Sequence, residues 1–420
     1  MHKIWTIFLL VQLAILATAC GNRGEDNTLP PPPTLSAENT STNSPGGIDT
    51  GDSAALQVPT GGPEGIATAT ILGTAPPPST LAPIPTSTKD SANEGTAGEE
   101  GLITEFGDDR DPLTGELVSD PANLQRRPLA VKLSNAPAIY TRPQSGLNDA
   151  DLVFEHTTEG NLTRFTAIFY SKTPPRVGPV RSARLIDIEL PAMYDAALAY
   201  SGSSNGVAAK LQNSDFSDRI LYAWEKGYYR TGEDKPIEHT LYATPELLWE
   251  ALDDLDMNNP PKFTTTNVFS EKPPEGGSPA SALNLDYNWT LVNWRYDPQS
   301  GRYLRWADGE PHLDGNTLEQ VSAANVIVIA PYHAYDATIC EQINTDGTCA
   351  AQSVEVQLWG SGGGAVFRDG QRYDVTWERL ARTDSLTFKD SEGNPFPLKI
   401  GNSWIQVVPT WLENPLTVIE

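Results

Sequence analysis

Aromatic residues divide this chain at one point. Between Gly21 and Glu105 there is no Phe, Trp or Tyr, only Arg23 and Lys89 are basic, and Pro, Ser, Thr, Gly and Ala dominate. Such a stretch buries too little apolar surface to offset the entropy of ordering it, so residues 21–105 are predicted to form a disordered tether. A flexible coil of about 85 residues spans roughly 50 Å, and the proline runs Pro30 to Pro33 and Pro76 to Pro78 stiffen it further. Beyond Glu105 the aromatics return, and the remaining chain is long enough for two domains with a sizeable core.

Ahead of the tether, residues 1–20 carry Lys3, an apolar run from Ile4 to Leu16, and the small residues Ala17, Thr18 and Ala19 before Cys20. This is the layout of an export signal. The run is too short for a span, which needs about 20 apolar residues. Small residues directly before a cysteine resemble the bacterial lipobox, so Cys20 is the expected lipidation site, with acyl chains holding the protein on the extracytoplasmic face of a bacterial cell membrane. The chain carries 29 Lys and Arg against 54 Asp and Glu, a formal net charge of -25. That excludes nucleic acid as an expected partner, because phosphate neutralisation needs a basic surface.

Within the folded part, Leu129 to Leu133 reads as a strand, and Leu152 to Thr157 with Leu162 to Tyr170 as a hairpin turning at Glu159, Gly160 and Asn161. Arg184 to Ala199 has helical spacing with a break at Pro191. A helix is predicted from Pro245, with Leu248, Leu252 and Leu255 on one face. The Pro- and Gly-rich stretch 256–284 reads as a linker or long crossover. Short strand-like runs follow, separated by turn signals such as Asp308-Gly309 and Asp369-Gly370. The glycine run at Gly360, Gly362, Gly363 and Gly364 lacks a following Lys-Ser/Thr and reads as a hairpin turn or bulge, not a phosphate loop. Cys340 and Cys349 enclose a short loop, and in an exported protein they are expected to pair. Closing a loop of about ten residues stabilises by about 2.7 kcal/mol.

Three constellations could carry chemistry. From Gly160 to Ile186 there are five basic residues, Arg164, Lys172, Arg176, Arg181 and Arg184, and no acid. This is either an anion site, since the Arg fork holds carboxylate or phosphate bidentately, or an internal ion network with Glu155 and Glu159, which face one side if the strand runs through both. Gly202-Ser203-Ser204-Asn205-Gly206 fits G-x-S-x-G between a strand-like and a helix-like segment, so Ser204 is either a nucleophile or a helix cap. His156 beside Glu155 could ligate a metal, but consecutive strand residues point to opposite faces. No metal site and no cofactor motif emerges. The tryptophans Trp289, Trp294, Trp306, Trp359, Trp377 and Trp404 either stack on sugars or fill a β core.

Arg142-Pro143-Gln144-Ser145-Gly146-Leu147, Ala150 to Glu155, Glu159-Gly160, Thr163-Arg164-Phe165 and Gly178 to Arg184, with Gly362 to Phe367, Thr376-Trp377 and Gly401 to Ile405, resemble the YerB-like lipoprotein family. The resemblance covers about residues 125–412. It implies an exported lipoprotein and an α+β fold, with an N-terminal layered α/β domain (106–265) followed by a predominantly β C-terminal domain (285–420). It brings no catalytic or binding residues with it. The leading expectation is a tethered, non-enzymatic protein that binds an envelope ligand or protein partner through Glu155, Glu159, Arg164, Arg181, Ser182 and Arg184. The alternative is an envelope hydrolase or transferase using Ser204, or Glu155 and Glu159 as acid and base.

Overall fold

Ten strands form the continuous order of the eleven-stranded central sheet in the computed structural model, which describes residues 101–223 and 226–420. They are β1 (Leu129–Ser134), β2 (Leu152–Thr157), β3 (Thr163–Phe169), β4 (Ala197–Tyr200), β5 (Ile220–Tyr222), β6 (Asn325–Ile329), β7 (Gly360–Arg368), β8 (Gln371–Arg379), β9 (Thr387–Lys389) and β10 (Ser403–Val407). Their order is β9-β8-β7-β6-β10-β2-β3-β1-β4-β5, with Ser278–Pro279 pairing onto β8. Strands from the two halves of the folded chain therefore share one sheet. The seam is β10, which runs parallel to β6 on one side and to β2 on the other. β1, β2, β6 and β10 are buried along their whole length, which is why Leu129 to Leu133 and Val326 to Ile329 read as apolar runs with little alternation.

Strand direction decides where function can sit. β1 is parallel to β4, and β4 to β5, while β3 runs antiparallel between β1 and β2. β1, β2, β4, β5, β6 and β10 thus point the same way, and the loops after them gather at one edge. The carboxyl ends of parallel strands are where open α/β sheets bind ligands, because loops diverge there and backbone groups are left unpaired. The loops at this edge carry Glu159, Gly202 to Ser204, His333 and Trp411.

Helix α1 (Asn205–Gln212) starts at that edge, capped by Ser204. Helix α2 (Pro245–Asp254) follows its sequence signals, with Pro245 in its first turn and Leu248, Ala251 and Leu252 buried. A second antiparallel sheet, Ala282–Asp286, Leu291–Asp297, Arg302–Ala307 and Leu416–Ile419, lies against one face of the first. Trp294 meets Trp404 there at 5.2 Å between ring centroids. The hairpin His333–Ile343 with Cys349–Val356 crosses the other face and packs on α1. Its Ile339 fills the space a side chain at Gly206 would need. Cys340 and Cys349 form a disulfide within this hairpin, as the sequence led us to expect.

The α+β class with a mostly β C-terminal part holds. Two local readings do not. Arg184 to Ala199 is not a broken helix: it is a 3-10 turn (Leu185–Ile188), a single helical turn (Leu190–Met193) and then strand β4. Pro191 supplies no N–H, Asp195 takes a positive φ of 45°, and the next four residues are buried on both faces. The glycine run is not a turn but the first half of β7, and the hairpin turns at Asp369-Gly370. The glycines admit close neighbours: a Cβ on Gly362 would lie 2.8 Å from Trp377 Nε1, which suits glycine in a strand where another group approaches. Trp294, Trp377 and Trp404 are core, while Trp289 and Trp359 are exposed. Ile103 already pairs with Phe269. The signal at 1–20, Cys20 and nearly all of the tether lie outside the described residues.

Candidate functional site

Adjacent residues of β2 face opposite sides of the sheet, and two separate polar networks result. Glu155 faces the second sheet. Its carboxylate is fully buried and accepts two hydrogen bonds from Arg305 Nη2, at 3.0 and 2.8 Å, with others from Trp404 Nε1 at 3.2 Å, Gln406 Nε2 at 3.1 Å and Thr163 Oγ1 at 3.2 Å. Arg305 also donates to His312 Nδ1, and His312 Nε2 donates to Gln144 Oε1 at 2.7 Å. Burial, with the Arg305 charge, pushes the imidazole of His312 well below its usual range, so it stays neutral. Glu155 is therefore satisfied chiefly by groups 150 residues and more away, with Thr163 the local donor.

His156 faces the other way. Its Nδ1–H donates to Thr157 O at 3.0 Å, which leaves Nε2 to accept from Lys132 Nζ at 2.6 Å. Lys132 also donates to Thr166 Oγ1 at 3.0 Å and pairs with Asp187 at 2.8 Å, all four side chains being fully buried. Burial lowers the Lys132 ammonium to about 8, against the Asp187 charge that raises it. Burial and then the Lys132 charge hold His156 neutral. His156 is committed to Lys132, and among the described residues no group of three or more His, Cys, Asp or Glu is placed to hold a metal ion.

Above this buried base, at the carboxyl edge, three arginines meet. Arg164 stands opposite His156 in the register, donates to Ser182 O at 2.7 Å, and lies 3.7 Å from Glu159. Arg184 grips Glu159 with two nitrogens and lies 3.5 Å from Glu341, which the hairpin delivers beside Cys340. Burial raises the Glu159 carboxyl, but the Arg184 hydrogen bond and the Arg184 and Arg164 charges outweigh it and hold the group at about 2. Burial, then the like charge of Arg184, pushes Arg164 down, although a guanidinium remains charged. The guanidinium of Arg181, a half-buried residue, has no hydrogen bond or ion pair among the described residues. Burial lowers it too, and the acid that chiefly opposes this, Glu238, is exposed.

Next to Arg181 are two more open groups. Ser182 Oγ has no partner among the described residues, and it sits against Gly202, whose φ of 81° would strain any other residue. His239 is 3 % exposed, yet its Nδ1 is buried without a partner. The Val180 N–H donates to Leu241 O at 2.7 Å, so His239 comes to rest beside residues 181 and 182. Burial first, then the Arg181 charge, lowers its imidazole. A ring of this kind can still offer an N–H to an anion.

Of the residues the sequence singled out, Glu159, Arg164, Arg181, Ser182 and Arg184 are brought together, and Glu155 is not. The pairing of Glu155 with Glu159 assumed one strand through both, but β2 ends at Thr157 and Gly160 turns the chain at a φ of 70°. Ser204 caps α1, accepting from the Val207 N–H at 3.4 Å and donating to Glu341 Oε1 at 3.1 Å. Its acceptor is a carboxylate already held by Ser353 at 2.7 Å. Lys172 and Arg176 diverge, to Glu116 and to Ser145 with Gly315. A cavity of about 410 Å³ lined by Ile139, Arg142, Pro143, His312 and Leu313 shares no residue with the cluster.

Residues 113–258 match the family model described as the DUF3048 N-terminal domain, a protein of unknown function, and residues 283–405 match its C-terminal domain. The chain is 29% identical over 309 residues to the Bacillus subtilis (strain 168) protein named "Putative lipoprotein YerB", covering 71% of this chain and 86% of that protein. It is also similar to the crystal structure of YerB from Bacillus subtilis, at 28% identity and a TM-score of 0.61, covering 74% of this chain and 99% of that one.

Two outcomes follow from this geometry. Glu155→Gln or Arg305→Met leaves a buried partner uncompensated, and each is expected to lower unfolding free energy in urea by about 3–5 kcal/mol. Glu159 has its folded pKa held at about 2 against an ordinary 4.5, so its stabilisation is complete above about pH 4.5 and is lost as pH falls toward 2. Thermal melts should show full-length protein more stable than Arg184→Gln at pH 6, with the gap closing by pH 2. A gap that stays constant over that range would show that Glu159 contributes nothing.

Proposed function

We propose that this chain, which belongs to the DUF3048 family, is a lipid-tethered receptor for an anionic group, bound at the carboxyl edge of its central sheet by Arg181, Arg164, Ser182 and His239. The carrying observation is a set of unpaired side-chain groups on neighbouring segments: a half-buried Arg181 guanidinium without hydrogen bond or ion pair, a Ser182 Oγ without a partner and an orphaned His239 Nδ1, all among the described residues. Of the three, His239 Nδ1 is buried and unpaired, which is uncommon for a polar atom, while Arg181 and Ser182 are part-exposed and open to a ligand. Charge supports the same reading. Arg184 is paired with Glu159 and Lys132 with Asp187, whereas the acid that chiefly acts on Arg181, Glu238, is exposed. The guanidinium fork left open there suits a carboxylate or a phosphate.

Arg184 and Glu159 act as the fixed wall of the site, since Arg184 is spent on Glu159 and Ala183 O. Glu341, seated by Ser204, Ser353 and Arg184, makes the disulfide-closed hairpin part of that wall. Anchoring comes from acyl chains on Cys20. The lipobox-like sequence before Cys20 supports it, as does the name of the Bacillus subtilis relative. Among the described residues no helix is long and apolar enough to cross a membrane.

Calorimetric titration of the full-length protein with inorganic phosphate tests the reading. Binding should be saturable and weaken at least about tenfold in Arg181→Ala, equivalent to about 1.4 kcal/mol. Arg176→Ala, which removes a guanidinium outside the cluster, should leave it unchanged. Equal affinity in wild type and Arg181→Ala would overturn the assignment.

A further inference from the structure

A second group of unpaired chemistry lies on the same edge, a few residues from the arginines. Trp411, in the loop after β10, donates Nε1–H to Asn161 Oδ1 at 3.2 Å. Asn161 is two residues from Glu159, a distance of at most about 7 Å along the chain. On Trp411 lies Tyr335, with ring centroids 5.1 Å apart and planes at 18°. Tyr335 is 55% exposed, so one ring face is supported by the indole while much of the residue meets solvent. His333 closes the group, edge-on to Trp411 at 5.4 Å. Its Nδ1 bonds Pro331 O at 2.7 Å, which places the proton on Nδ1 and a lone pair on Nε2. That Nε2 is buried and has no partner, in a side chain only 4% exposed. Burial pushes the imidazole down to about 4, so the lone pair stays available as an acceptor at neutral pH.

A rigid aromatic face open to solvent is what a sugar ring needs, because the ring's C–H face stacks on the aromatic; His333, buried edge-on against Trp411, holds that platform in place. We infer that the ligand of this edge is a short anionic saccharide, its carboxylate or phosphate at Arg181 and a neighbouring ring on Tyr335. This rests on the anion site proposed above and adds the substrate class to it. The hairpin that carries His333 and Tyr335 also carries Glu341 of the arginine wall, so both ends of the ligand would be read by one disulfide-closed element.

Full-length protein is titrated with three probes: inorganic phosphate, a hyaluronan tetrasaccharide and neutral chitotetraose. The tetrasaccharide should bind at least about tenfold tighter than phosphate, and chitotetraose much more weakly than hyaluronan. Tyr335→Ala should remove the margin of the tetrasaccharide while leaving phosphate affinity unchanged. Tyr335→Phe should keep it, which separates stacking from any disturbance of the fold. Phosphate binding that depends on Arg181, with no gain for the tetrasaccharide or no loss in Tyr335→Ala, would overturn the saccharide inference and leave the anion site standing. Equal binding of chitotetraose and hyaluronan would overturn it as well. Absence of phosphate and tetrasaccharide binding alike would overturn both.

Discussion

Everything else in this molecule is arranged around one buried carboxylate. Glu155 lies in the middle of the central sheet with no exposure, and Arg305, Trp404, Gln406 and Thr163 all donate to its carboxyl group. An isolated ion in such a place would cost many kilocalories; a fully hydrogen-bonded one ties its donors into a single geometry. Those donors come from three strands and from both halves of the folded chain. Trp404 and Gln406 belong to β10, the strand that parallels both β2 and β6. The shared sheet and the Glu155 network are the same fact seen at two scales.

The position of Glu155 also decides the chemistry of the opposite face. Sequence reasoning set it beside the arginines as their counter-ion. In the structure it belongs to Arg305, and the acids that act on Arg164, Arg181 and Arg184 are Glu159, Asp187, Glu341 and the exposed Glu238. Arg184 takes Glu159 in a fork, and Arg181 is left without a partner among the described residues. An acidic protein with a formal charge of -25 thus keeps a small cationic cluster at the end of its parallel strands. Its position agrees with the general rule for open sheets, which links the fold to the site without reference to any relative.

Much of this was legible from sequence where neighbours in space are neighbours in the chain. The absence of acids from Gly160 to Ile186 marked Arg164, Arg181 and Arg184, because the hairpin and the return segment that carry them are contiguous. Cys340 and Cys349 pair across one hairpin turn. The Pro245 start of α2 is a local steric signal. Long-range pairing hid the rest. Arg305 reaches Glu155 across 150 residues, and His239 joins Arg181 only because residues 177–180 run beside 241–243. Nothing near His239 or His333 in the sequence distinguishes them. Parity along a strand misled where the strand ended: two residues past Thr157 the chain had already turned, and Glu159 no longer obeyed the alternation that Glu155 obeys.

The central claim is that the cationic edge is built for an anion. His239 reports on it directly, since its imidazole is held below the usual range by burial and by the Arg181 charge, and a bound anion opposes the second of these. The decisive measurement is an NMR titration of the His239 ring from pH 5 to 8 with and without sulfate, whose charge is constant over that range, at matched ionic strength. The account predicts a pKa below 6.5 in chloride that rises in sulfate, and a smaller rise in Arg181→Ala. An identical titration in both salts would contradict it.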